Sequence, residues 1–175
     1  MTSMQFEMCA LPGGGKLELY LRSPDPAMPN ALRRPLVLVV PGGGYEHVSA
    51  READPVALQF AAAGYHTAVL TYSVGEGARD HQPLRQLRAA IGLLRQNAER
   101  WGILPDRIAV CGFSAGGHLC GCISLLWDDP ALRAAFGAEC EQIRPDASVY
   151  SYPVVTCDPA KAHLDSFRNF CGGAA

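Results

Sequence analysis

Gly112-Phe113-Ser114-Ala115-Gly116 is the stretch of this chain whose residue types and spacing most directly describe chemistry. It fits G-x-S-x-G, in which a serine sits at a sharp, strained turn between a strand and a helix. Arg107 to Gly112 (RIAVCG) reads as a buried strand, and the small-residue stretch after Ser114 continues as a helix through Leu126 and Trp127. Side chains flanking the serine would collide with neighbouring backbone at such a turn, so both positions are glycine. The helix N-terminus aims its free N–H groups at the hydroxyl, which favours negative charge developing there. Ser114 is therefore read as a nucleophile. Pro41-Gly42-Gly43-Gly44-Tyr45 is a second segment of the same kind. Successive glycines let backbone N–H groups approach a tetrahedral intermediate, and each such donor is typically worth ~10²–10³ in rate. A phosphate loop fits worse. Neither G-x-G-x-x-G nor G-x-x-x-x-G-K-[ST] can be completed from Gly42, and no helix opens immediately afterwards.

The elements that must position these segments alternate between strand and helix, the pattern of an α/β fold with a largely parallel sheet. Leu17 to Leu21 alternates like a strand, and a proline-rich loop follows from Ser23 to Asn30. Leu36 to Val40 (LVLVV) reads as a central strand covered on both faces. Asp54-Pro55 reads as N-cap and first helical position, with Gly64 closing that helix, and Thr67 to Val74 is the next strand. Pro83 opens a longer helix whose stripe of Leu84, Leu87, Ile91, Leu94, Ala98 and Trp101 lies on one face, until Gly102 ends it. Ala147 to Val155 is the last strand expected, and the final twenty residues show no clear periodicity.

The stretches PGGGYEHVSAREADPVALQFAAAGYHTAVLTYSV and RIAVCGFSAGGHLCG resemble the α/β-hydrolase superfamily. The branch they are most similar to is the esterase/lipase group that includes acetyl-xylan and other carbohydrate esterases, cousins of hormone-sensitive lipase. The resemblance runs from about Leu17 to about Asp165. It implies the α/β-hydrolase fold, a mostly parallel central sheet with helices on both faces. It also implies that Ser114 is the nucleophile and that the N–H groups of Gly43, Gly44 and Ala115 form the oxyanion hole. Pro41 stands where hormone-sensitive-lipase relatives carry His, which points to the carbohydrate-esterase branch and leaves the backbone donors unaffected. Tyr45 has two readings, one facing the acyl or sugar group and one packed under the loop.

A serine alcohol needs a base to take its proton and a third group to orient that base. In this fold the acid and the histidine follow the serine, each on a loop after a later strand. His118 lies on the same helix four residues after Ser114 and reads as a packing or capping residue. His47, His66 and His81 precede the serine and read as loop, strand-start and helix-start residues. Asp158 and His163 have the right order, but only five positions separate them, too few for the helix and strand that normally intervene. Two more strands carrying the acid and base are expected beyond Ala175, so the chain is read as 1–175, a single partial, C-terminally truncated hydrolase domain with its last strands missing. On that reading it is nearly inactive.

Composition bounds the rest. At 175 residues, 49% hydrophobic and 18% charged, the chain can bury a core. Fifteen Lys+Arg against seventeen Asp+Glu give a net charge of −2 with no basic block, so neither nucleic acid nor an anionic membrane would find a positive field. Glu7 stands where a signal peptide would be basic, and seven irregularly spaced Cys suit reduced thiols, so a cytoplasmic location is expected. Cys120 and Cys122 are two apart on a helix and point in different directions, so no metal site is expected. The expected function is hydrolysis of a small acyl, acetyl-type ester of a carbohydrate through an acyl-enzyme on Ser114, with no cofactor. The alternatives are a serine peptidase of the prolyl-oligopeptidase type, which normally carries an N-terminal propeller, and a non-catalytic module lacking the triad acid and base.

Overall fold

RPLVLVV forms β3 (Arg34–Val40), whose last five residues are all buried. Side chains alternate between the two faces of a strand, so this requires both faces to be covered. Leu36, Leu38 and Val40 enter one core cluster, and Val37 and Val39 enter another on the opposite face. β3 pairs in parallel with β4 (His66–Thr71) and β5 (Ile103–Phe113), and β5 pairs in parallel with β6 (Ala147–Ser151). β1 (Met4–Ala10) and β2 (Lys16–Arg22) add an antiparallel end, giving the order β1-β2-β4-β3-β5-β6. The computed structural model describes residues 3–136 and 141–172. Among these residues β6 is one edge of the sheet and β1 the other, with Val149 49% and Tyr150 43% exposed on β6. The glycine segment after β3, Ser114 after β5 and the turn after β6 all leave the same end of the parallel strands, where open α/β sheets place their ligands.

α1 (Asp54–Ala62) covers the Val37/Val39 face through Ala57. α2 (Gln82–Gln96) and α3 (Ala115–Leu125) cover the other face, which holds the larger cluster. The α2 stripe is buried at Leu84, Leu87, Ile91 and Leu94 and continues through Ala98 and Trp101 in the turn that follows. Trp101 Nε1–H donates to Glu7 at 3.0 Å, which ties that turn to β1. Two shorter helices follow, α4 (Pro130–Phe136) and α5 (Leu164–Cys171).

Several elements differ from the sequence reading. β1 was not expected, although Met4, Phe6 and Met8 alternate with Gln5 and Glu7; a tight turn pairs it with β2 and leaves those three apolar side chains exposed. Asp54 is not the N-cap of α1. Ala53 holds that place, and the Asp54 carboxylate accepts the Tyr20 hydroxyl at 2.7 Å. β4 ends at Thr71 rather than Val74, since the chain turns into the short helical turn Gly75–Ala78. β6 stops at Ser151 rather than Val155, because Tyr152 takes a left-handed φ of 38° that no strand continues through. α5 lies in the stretch that showed no periodicity, and its single turn pair buries only Ser166 and Phe170.

Candidate active site

β5 runs into Ser114 at φ 48° and ψ −115°, and α3 begins at the next residue. A non-glycine residue held there costs on the order of 1–3 kcal/mol, so the surroundings must enforce it. They do so on both sides of the residue. Ser114 N–H donates to Ser151 O at 3.0 Å, while its carbonyl accepts Val154 N–H at 3.2 Å and His118 N–H at 3.0 Å. The glycines around it are close-approach residues. A Cβ at position 112 would lie 2.6 Å from Cys120 Sγ, and one at 117 would lie 2.9 Å from Pro153 Cβ. One at 116 would fall onto the carbonyl groups of Val40 and Pro41. α3 thus starts directly against the end of β3.

That end is the glycine segment, and its carbonyls are pinned one by one. Pro41 O accepts the Tyr72 hydroxyl at 2.7 Å, and Gly42 O accepts Ser49 N–H at 3.0 Å. Gly43 O accepts Glu46 N–H at 3.0 Å and His47 N–H at 3.2 Å, and Gly44 O accepts Asn169 Nδ2 at 3.0 Å. In a trans peptide the C=O and the following N–H point in opposite directions, and no peptide described here is cis. Fixing the Gly42 and Gly43 carbonyls therefore turns the N–H groups of Gly43 and Gly44 to the other side of the loop. The path needs φ of 121° and 64° at these two positions, which favours glycine. Gly42 N–H is already taken by Glu52 Oε2 at 2.8 Å, and Glu52 Oε1 accepts the Tyr152 hydroxyl at 2.9 Å. A Cβ on Gly42 would stand 2.9 Å from Ser114 Cβ, so loop and elbow meet there. The N–H groups of Gly43, Gly44 and Ala115 find no acceptor among the described residues. Ala115 is the first residue of α3, whose opening N–H groups have no partner within the helix.

Tyr45 is corrected from the substrate-facing reading. It is 1% exposed beneath the loop, its hydroxyl 3.0 Å from Ala115 O and 2.6 Å from His118 Nδ1. Burial raises its pKa well above the ordinary phenol value and lowers that of His118, whose charged form His81 also disfavours.

The described residues place no base on Ser114: its hydroxyl has no hydrogen bond to a histidine or carboxylate among them. Asp158 and His163 are not paired. Asp158 accepts Ala160 N–H at 3.0 Å and lies 3.8 Å from Lys161, while His163 Nδ1 meets Ser166 Oγ at 2.9 Å. His163 does lie beside the glycine segment, with Cε1 3.8 Å from where a Gly44 Cβ would be. His81 packs its ring on Phe170 at 5.0 Å, His66 is buried at the start of β4, and His47 is exposed. Among the described residues no three His, Cys, Asp or Glu side chains are grouped to hold a metal. Glu52 and Asn169 escaped the sequence reading, because each acts on a backbone group that no local pattern links to it.

The family model BD-FAE matches residues 21–156. Endo-1,4-beta-xylanase B of Butyrivibrio fibrisolvens is 33% identical over 156 residues, covering 87% of this chain and 23% of the relative. Acetylxylan esterase of Xylanibacter ruminicola is 31% identical over 137 residues, covering 78% of this chain and 26% of the relative. The crystal structure of MGS-M1, an alpha/beta hydrolase enzyme from a Medee basin deep-sea metagenome library, superposes with a TM-score of 0.76 at 37% identity. That match covers 89% of this chain and 60% of the MGS-M1 chain. The chain thus spans about a quarter of these curated relatives and three-fifths of the solved structure.

Proposed function

Because the chain belongs to the BD-FAE family, in the esterase/lipase branch of the α/β-hydrolases, we propose that it carries the acyl-transfer centre of a serine ester hydrolase. The substrate is a small acyl ester of acetyl type on a carbohydrate, a reading supported by the acetylxylan esterase relative. Ser114 Oγ bonds to the ester carbonyl carbon, and the carbonyl electron pair moves onto oxygen. The N–H groups of Gly43, Gly44 and Ala115 receive that oxyanion, helped by the positive end of α3. Collapse breaks the bond to the alcohol, which leaves with the serine proton, and water then releases the acid from Ser114. The observation that carries this reading is the elbow conformation of Ser114 against three backbone donors with no other acceptor among the described residues.

The absence of a base on Ser114 among the described residues favours slow turnover, and it is also the observation that supports a non-catalytic module. Losing a triad costs on the order of 10⁶ in turnover, while an oxyanion hole alone retains ~10³–10⁴ over water. Chain 1–175 is expected to hydrolyse 4-nitrophenyl acetate at that residual level and to take up a fluorophosphonate at Ser114 alone. Ser114→Ala should abolish the labelling and leave the residual hydrolysis, which the oxyanion hole supplies without the serine. Labelling elsewhere, or none at all, would support the non-catalytic module, and fast Ser114-dependent turnover would show that the chain supplies its own base.

A further inference from the structure

Tyr45 is the residue in which the two halves of the oxyanion site meet. Its backbone continues the glycine segment, and its side chain crosses under the loop to the first turn of α3, seventy positions along the chain. Left-handed φ at Tyr45, 60°, drops the ring into this place, where it packs on Phe170 with centroids 4.9 Å apart and on Tyr72 at 5.9 Å. The hydroxyl reaches Ala115 O at 3.0 Å, and Ala115 supplies the one oxyanion donor that does not come from the loop.

We propose that the Tyr45 hydroxyl is a strut that sets the spacing between the Gly43/Gly44 donors and the Ala115 donor, and that His118 orients it through an Nδ1–H tautomer. Both are positioning residues, and the proposal rests on the ester-hydrolase reading above. The phenol has one proton. Donated to Ala115 O, it leaves only His118 Nδ1–H to fill the 2.6 Å contact with the phenolic oxygen. His118 Nε2 is then an acceptor, and it faces Cys122 Sγ at 3.5 Å, a weak S–H donor. The chain of bonds runs in one direction, from Cys122 to His118 to Tyr45 to Ala115, with every group satisfied. Phe167 and Phe170 stand edge-on to the His118 ring, at 5.7 and 5.1 Å, and keep it from turning. Burial, with the neighbouring His81, disfavours the imidazolium, and the tautomer requires the neutral ring.

The test uses the whole chain with ¹⁵N-labelled histidine and backbone. Imidazole ¹⁵N spectra of the native protein are expected to show His118 protonated at Nδ1, and an Nε2–H tautomer would overturn the proposal. In Tyr45→Phe the amide resonances of Gly44 and Ala115 should shift together, and Ser114 should react with fluorophosphonate about tenfold more slowly, since small misplacements of reacting groups are costly. Unmoved Gly44 and Ala115 amides in that variant would also overturn it. If native Ser114 takes no label, the ester-hydrolase reading fails, and the resonances alone decide the strut. Should Tyr45→Phe not fold, His118→Gln and His118→Phe form the comparison. The glutamine amide can donate to the Tyr45 oxygen and should keep both amides near their native positions, whereas phenylalanine should move them. Equal effects of the two would refute the role given to His118.

Discussion

Replacing Gly116 by alanine is expected to destabilise the protein by about 3 kcal/mol or more, although the residue lies inside a helix where alanine is normally the better choice. Helix propensity alone favours the alanine by ~1 kcal/mol. The new Cβ would stand 2.7 Å from the carbonyl carbon of Val40 and closer still to the oxygens of Val40 and Pro41. Those carbonyls cannot move aside. Val40 is paired in register with Gly112, and Pro41 O holds the Tyr72 hydroxyl. Relief can come only by lifting α3 from the end of β3, which carries Ser114 and Ala115 away from the glycine loop. Gly121→Ala is the control on the same helix. Nothing lies within 4 Å of its Cβ, so it should stabilise by up to ~1 kcal/mol. Urea midpoints of the two variants should move in opposite directions from the native value. A shared direction would show that propensity, not close approach, decides at position 116.

The need for glycine at 112 and 116 was legible because a turn motif states it locally, but the groups that impose it were not. Val40 and Pro41 are more than seventy positions from Gly116, and only the parallel pairing of β3 with β5 brings them together. The α2 stripe was legible for a similar reason, since its period is local and the core it meets is on one side. β1 was overlooked although Met4, Phe6 and Met8 alternate with Gln5 and Glu7, and as an edge strand it leaves all three exposed instead of burying them in a core. α5 was hidden because an eight-residue helix that buries little shows hardly two turns of period. Yet α5 brings Asn169 to Gly44 and Phe170 to Tyr45, so part of what holds the candidate site lies in the least readable segment. Tyr45 had two open readings because sequence does not say on which side of a glycine loop a ring will fall. The left-handed φ and the space between Phe170 and Tyr72 decide it.

The second large effect is acid destabilisation through His66. It was read only as a strand-start residue, and the structure buries it to 1% exposure between β2 and the turn after α2. Its Nδ1 accepts Arg22 N–H at 3.1 Å, and its Nε2 lies 3.1 Å from Gly102 O, so the neutral Nε2–H tautomer satisfies both nitrogens. A second proton would face Nδ1–H against the Arg22 N–H. Burial pushes the pKa down to about 4 from 6.5, with the Arg34 and Arg22 charges adding to it against the Gly102 hydrogen bond. The unfolded chain therefore binds a proton below pH 6.5 that the folded chain does not bind until pH falls to about 4. Stability is full above the unfolded value, declines by up to ~1.4 kcal/mol per pH unit through this window, and levels off below it. The loss sums to at most about 3.5 kcal/mol. His118, lowered in the same direction by burial, adds to the slope. Other groups titrate as well, so the measurement is a difference. Unfolding free energies of the native chain and of His66→Gln should be compared from pH 7 to pH 4. The glutamine amide can make both hydrogen bonds without titrating, and the variant should lose close to one proton of pH dependence. Equal slopes would mean that His66 takes its proton as readily in the folded chain as in the unfolded one.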